Sequence, residues 1–368
     1  MFPSQQITFL NRWFSDVSEA RFQSLGVQGG FSGAVIWRVS MSGRDLCLRR
    51  WPQAHPTTHG LVAMHGLLQH VAGSGNRVVP VPLPTRDGET FFVGEDHLWE
   101  LTPWMSGEAD FRVAPDPKKL TAAMQTLASF HCQAKSYSFL GSGTRTARSA
   151  GLEQRLQLLR GLQQGKLEKL WKATRTAEAS DLREAAFDLL EGIGRSHDTV
   201  AEKLESLVDV PLPLQWCLRD VRHDHLLFSG ERVTGLIDFG AAAVESVSGD
   251  VARLLGSMVN DHRESWDVGI QAYASVRPLS NRERQAIAGF DEGGALCSAA
   301  NWVRWLFVEG RSFPQIHALH DQLVWLRARL QAIAERRSGS SPAGGPTWEP
   351  TPHGRSESGE VESRWMHT

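Results

Sequence analysis

Between Cys217 and Gly240 the chain reads CLRDVRHDHLLFSGERVTGLIDFG, a charged cluster set directly against two apolar runs. RDVRHDH brings two arginines, two aspartates and two histidines into a segment whose neighbours PLQWCL, LLF and RVTGLIDFG have the branched and aromatic residues of β-strands. Ionised groups in such a segment are destabilising unless they are paired or reach solvent. SGER supplies a turn that brings two strands together. Asp238 ends the second run, where a strand holds it rigidly while its carboxylate faces open space, as a metal ligand requires. Asp220 lies eighteen positions earlier, in the loop after PLQWCL, where a carboxylate suits a general base or a nucleophile-orienting group.

Before this segment the chain alternates short β-like runs with turns. AVIWRV and LCLRRW flank the hairpin sequence SMSGRD; ETFFVG and HLWELTPWM follow RVVPVPLPTRDG, whose prolines hold the chain extended. Between the two pairs, Leu61, Met64, Leu67, Leu68 and Val71 recur at helical spacing. A small antiparallel sheet with one helix is the expectation. After PWMSGEADF the pattern becomes helical: Leu120, Met124, Leu127 and His131 share a face, and Ile316, Leu319, Leu323, Leu326, Leu330 and Ile333 mark a long terminal helix. From Ser338 the chain turns to Gly, Ser, Pro and Glu, a composition too poor in aliphatic residues to order itself. There is no internal repeat.

A net charge of −2 over 368 residues gives no reason to expect a nucleic-acid or membrane surface. No apolar run approaches a membrane span, and MFPSQQITFLNRWF lacks the basic start and apolar stretch of a signal peptide, so a cytoplasmic protein is expected. Cys47, Cys132, Cys217 and Cys297 stand singly and read as reduced, partly buried thiols rather than a disulfide frame or zinc site.

The hairpin resembles the catalytic segment of the kinase fold, and more closely the aminoglycoside phosphotransferase and choline kinase-like family, whose loop reads roughly H-G-D-x-H-x-x-N. On LRDVRHDH, Asp220 falls on the base, Arg222 on the second histidine, His225 on the metal-binding asparagine and Asp238 on the magnesium aspartate. GGFSGAVIWRV resembles the family's glycine-rich loop, with Gly29, Gly30, Ser32 and Gly33 placed to let amides approach phosphate oxygens. Arg49 stands where the family keeps a phosphate-contacting cation. LWELTPWMSG resembles the inter-lobe segment, where the main chain around Glu100, Thr102 and Pro103 would receive adenine. SGDVARLLGS resembles a helix start in which Asp250 caps the helix and braces the catalytic loop.

The resemblance covers residues from about 20 to about 330. It implies an α+β, two-lobed protein kinase-like fold: an N-lobe sheet with one helix over 1–103, a mainly helical C-lobe over 104–337 and a disordered tail over 338–368. It further implies ATP and Mg²⁺ as cofactors and a small-molecule acceptor phosphorylated on a hydroxyl. Only AAAVESVS separates Gly240 from GDVARLL, and no Ala-Pro-Glu follows, so a peptide platform is not expected. Asp291 and Glu292 could attract a cationic acceptor, although one acidic pair is usually helix-end charge.

Three positions depart from the family. His225 replaces the asparagine and favours Mn²⁺ or zinc over Mg²⁺. Leu218 replaces the histidine two residues before the base. No acidic residue lies between Arg49 and Asp87, so the helix over 59–72 offers no glutamate to pair with Arg49, which leaves Asp238 or phosphate to hold it. The alternative reading is a weak or inactive kinase-fold module that binds nucleotide or a partner.

Overall fold

The computed structural model describes residues 3–26, 33–313 and 316–336. Gly29, Gly30 and Ser32, and the tail from residue 338, lie outside the described residues. The chain divides into two compact units. One takes in the described residues up to Gly143 together with Asp220–Ala243; the other takes in Thr144–Arg219 and the described residues from Val244 onward.

The first unit opens with α1 (Pro3–Leu10), β1 (Arg21–Gly26), β2 (Val35–Met41), β3 (Arg44–Arg50), α2 (Thr58–Gly73), β4 (Phe91–Gly94), β5 (His97–Pro103) and α3 (Pro117–Ala134). Its five strands form one antiparallel sheet in the order β1-β2-β3-β5-β4. The expected antiparallel sheet is thus present, with α1 and β1 added to the elements the pattern suggested.

Strand alternation divides this sheet into two faces. Trp37, Val39, Met41, Leu46, Leu48, Trp99 and Leu101 turn to one side and, with Leu10, Trp13 and Val17, make an apolar cluster. Trp37 and Trp99 stack at 5.6 Å within it. The intervening residues Cys47 and Arg49 on β3 turn to the other side, opposite Thr102 and Glu100 on β5. Helix α2 packs its residues Leu61, Met64, His65, Leu67, Leu68 and Val71 inward, with Thr57 as N-cap accepting the Gly60 amide.

The second unit continues with β6 (Arg145–Ala147), α4 (Ala150–Gly161), α5 (Leu167–Thr176), α6 (Asp181–Val208) and β7 (Leu212–Cys217). The chain then returns to the first unit for β8 (Leu226–Ser229) and β9 (Arg232–Leu236), an antiparallel hairpin whose turn residue Gly230 has φ 61°. After β10 (Ala243–Glu245) come α7 (Val247–Val259), α8 (Arg263–Val276), α9 (Asn281–Phe307) and α10 (Ile316–Glu335).

Helices α6, α9 and α10 form the core of the second unit. A Cβ at Gly192 would come within 2.9 Å of Leu330, and one at Gly289 within 2.6 Å of Leu207, so both glycines permit close helix approach. A Ser280–Glu283 capping box starts α9. Trp302 is buried and meets Trp305 edge-on at 5.2 Å. Arg329, almost fully buried on α10, pairs with Asp291 and lies 3.1 Å from Asp261. Glu292 pairs with Lys203 at 3.0 Å. Asp291 and Glu292, considered above as a draw for a cationic acceptor, are therefore engaged with cations of their own unit.

None of the four cysteines, all among the described residues, forms a disulfide; Cys132 is exposed, against the expected partial burial. Among the described residues no helix is long and apolar enough to cross a membrane.

Candidate active site

The β8–β9 hairpin fixes the spacing of the charged cluster. The Ile237 amide donates to the His225 carbonyl at 2.9 Å, which sets Asp238 beside His225. Asp238 itself has φ 62°, a left-handed conformation that an aspartate tolerates better than most residues. Its side chain is 47% exposed, and Oδ2 lies 3.6 Å from His225 Nε2. Burial of the surroundings raises its pKa, but the charges of His225 and Arg49, the Gly240 amide and Arg222 hold it below the usual carboxylate range.

Ahead of His225, Arg222 Nη2 lies 2.8 Å from Asp224 Oδ2 and 3.4 Å from His225 Nε2. Burial would push the Asp224 pKa up; His225, Arg222 and His223 overcome it and bring the group down to about 2. Burial and then Arg112 hold His223 well below the ordinary imidazole range. Asp224 Oδ1 and His225 Nδ1 are buried without a hydrogen-bond partner.

Asp220 is exposed and follows Arg219, which has φ 68°. The amides of Leu218 and Arg219 both donate to the Asp250 carboxylate at 2.7 Å. Asp250 therefore fixes the two residues that precede Asp220 in the chain. It is not the helix cap expected above: Ser246 caps α7 by accepting the Ser248 amide, and Asp250 sits a turn inside the helix.

On the sheet, Arg49 Nη1 lies 3.6 Å from Glu100 Oε1, and Glu100 Oε2 lies 2.7 Å from His65 Nε2. The partner of Arg49 thus comes from the neighbouring strand, and α2 contributes a histidine to that partner. Burial opposes the charges on both groups. Even so, Glu100, with Cys47 and Asp238, raises the Arg49 pKa, and the hydrogen bond from His65, together with the charge of Arg49, lowers that of Glu100. Glu100, expected to offer its main chain to a nucleotide, lies between β3 and β4 in the sheet with its carboxylate turned to Arg49 and His65. Thr102 is buried on the same face, opposite Cys47.

Trp51 connects the sheet to the hairpin. Arg49 stacks over its ring at 4.7 Å, and a Cβ at Gly240 would approach that ring to 3.1 Å. His55 Nε2 also meets the Gly240 carbonyl at 3.0 Å. Gly33, the described residue of the glycine-rich segment, has φ 74°, which favours glycine. Arg49, Asp238, His225 and Arg222 are thereby gathered within the first unit.

Sequence reasoning gave no role to His65, Trp51 or Asp224. A histidine inside the apolar stripe of α2 was the available signal for the first. Asp224 stood in full view within the cluster. Its pairing with Arg222 is a matter of loop geometry that spacing does not encode.

A divalent cation fits the pair formed by Asp238 and His225. Their facing atoms, at 3.6 Å, are separated as two neighbouring ligands of one ion can be, and one donor is a half-exposed carboxylate.

The family model described as the phosphotransferase enzyme family matches residues 25–290. A homoserine kinase of Brucella anthropi is 28% identical over 240 residues, 63% of this chain and 64% of that protein. Another, from Rhizobium rhizogenes, is 27% identical over 236 residues, 63% of this chain and 65% of that protein. The chain thus spans just under two thirds of the length of these relatives. Among solved structures, spectinomycin phosphotransferase in complex with ADP and spectinomycin superposes with a TM-score of 0.66 at 12% identity, covering 91% of this chain and 98% of that one. The microcompartment-associated aminopropanol kinase gives 0.64 at 19% identity, covering 92% and 98%. At these identities the structural likeness establishes the two-lobed kinase-like fold. With the family model matched across most of its length, the chain belongs to the phosphotransferase enzyme family.

Proposed function

We propose that the protein is an ATP-dependent phosphotransferase that phosphorylates a hydroxyl group of a small molecule. The observation that carries this reading is the half-exposed Asp238 carboxylate, fixed beside His225 in the same unit as Arg49 and its Glu100 partner. In this reading Asp220 accepts the proton as the acceptor oxygen bonds to the γ-phosphorus and the bond to the β–γ bridging oxygen breaks, releasing ADP. Arg49 contacts phosphate oxygens, as do amides of the segment carrying Gly29, Gly30, Ser32 and Gly33. Asp238 and His225 hold the cation, Mg²⁺ or Mn²⁺, which when bound neutralises phosphate charge. Arg222 stiffens the loop through Asp224. Residues 1–103 serve as the nucleotide lobe and 104–337 as the acceptor lobe, in a cytoplasmic protein.

Homoserine kinase relatives direct attention to acceptors that carry both a primary hydroxyl and an amine. The test is ATP consumption against homoserine, amino alcohols, choline and aminoglycosides, with Asp220→Asn as the control. Turnover that requires one acceptor and disappears in the variant supports the proposal. Nucleotide binding with no turnover on any acceptor favours a binding module instead.

A further inference from the structure

Thr90, His65, Glu100 and Arg49 form an unbroken polar chain behind the sheet. Thr90 Oγ1 lies 2.7 Å from His65 Nδ1, and His65 Nε2 lies 2.7 Å from Glu100 Oε2. The other carboxylate oxygen, Oε1, faces Arg49 Nη1 at 3.6 Å. The side chains of His65 and Glu100 are 2% and 4% exposed.

We propose that His65 is a positioning residue: it holds Glu100 so that Arg49 stays oriented, with donors to spare, for the phosphates of a nucleotide. The inference rests on the phosphotransferase reading given above.

The chemistry runs in one direction. Glu100 is held in its ionised form and can only accept. His65 Nε2 must therefore donate to it, and in the neutral ring Nδ1 then accepts the Thr90 hydroxyl. This bond turns Oε2 toward His65, so that only Oε1 faces Arg49 and the two-point fork is not formed. The remaining contact of Glu100 with the guanidinium lies beyond hydrogen-bond length, which leaves Arg49 in the field of a carboxylate without being clamped by it.

Two further facts suit Arg49 to an anion. Arg49 Nε is buried and has no acceptor. The guanidinium is already stacked on Trp51 at 4.7 Å, which orients its plane without using its N–H groups. A largely enclosed arginine with unused donors suits an acceptor with several oxygens, and phosphate is such an acceptor. Without His65, Glu100 is free to rotate and pair with Arg49 through both oxygens, withdrawing those donors. A histidine that merely filled the core would affect stability alone.

The discriminating measurement is the affinity of the whole chain for ADP and for adenosine, by titration calorimetry. Comparing the two isolates the phosphate-dependent share of binding. In His65→Ala, ADP affinity is expected to fall about tenfold while adenosine affinity changes less than about twofold. His65→Gln, whose amide can donate to Glu100, should recover most of the loss. His65→Ala added to Arg49→Ala should weaken ADP binding no further than Arg49→Ala alone, because the two act on one contact.

Equal losses for ADP and adenosine, or no loss in a folded variant, overturn the positioning role and leave the phosphotransferase reading standing. Should His65→Ala fail to fold, Thr90→Val and His65→Leu carry the same comparison, since leucine offers Glu100 no donor, and a shift in neither ADP-to-adenosine ratio overturns the role. A wild-type chain that binds neither ligand removes the phosphotransferase reading and this inference together.

Discussion

Arg222 lies 2.8 Å from Asp224 and 3.4 Å from His225, so a single guanidinium joins a carboxylate and an imidazole of the loop before β8. The pair is nearly enclosed, with Asp224 10% exposed. Its pH dependence follows from the direction of the Asp224 shift. A carboxyl held at about 2 when folded, against 3.8 unfolded, contributes stability that is present above the unfolded value and is lost as pH falls through the folded one. Asp224→Asn is expected to cost about 2 kcal/mol at pH 7, with the gap to wild type closing between about pH 4 and pH 2. Urea denaturation of both proteins across that range checks it, and a gap independent of pH contradicts it.

Asp220→Asn separates binding from chemistry. The residue is exposed, and its replacement removes the proposed proton acceptor without disturbing the sheet. Nucleotide affinity should stay within about twofold of wild type while turnover falls about 10²–10⁴-fold, the usual weight of general-base assistance. Steady-state kinetics beside a nucleotide titration give both numbers.

If Asp238 and His225 hold the cation as proposed, replacing each has a different effect. Asp238→Asn should weaken nucleotide binding in the presence of Mg²⁺ or Mn²⁺ and leave metal-free binding little changed, because the carboxylate acts through the ion. His225→Asn replaces nitrogen with an oxygen donor and should move the ratio of Mg²⁺- to Mn²⁺-supported affinity toward Mg²⁺. Titrations with each metal decide the matter; an unchanged ratio would remove His225 from the metal site.

Asp250 should matter for stability before it matters for chemistry. Asp250→Ala leaves the Leu218 and Arg219 amides without their acceptor, at an expected cost of about 3 kcal/mol. Asp250→Asn retains one acceptor oxygen and should cost about half as much. Denaturant midpoints with unchanged m-values test this.

The legible parts of this protein were those written contiguously. Asp220 to Asp238 could be read because a loop and one hairpin hold the candidate base and metal ligand within a short stretch. The β2–β3 pair and the faces of α2 and α3 followed from periods of two and 3.6. The polar chain behind the sheet was hidden because His65, Glu100 and Arg49 come from a helix and two strands, and nothing local in any of them reports the others. Asp250 misled as a cap because Ser246 and Asp250 both suit a helix start, and only the positions of the Leu218 and Arg219 amides choose between them. Strand β1, RFQSLG, carries too little alternation to announce itself; pairing with β2 defines it.

The sheet also determines where the protein can absorb insertions over evolutionary time. The β1–β2 ladder contains an irregularity between Ser24 and Gly26, whereas the β2–β3 and β3–β5 ladders run without a shift. The irregularity thus lies on β1, one of the two edge strands. One residue gained or lost within β3 would turn Arg49 into the tryptophan layer and bring Leu48 out to face Glu100. Lineages descending from this sequence can vary in length around β1, but in β3 they can explore only substitutions.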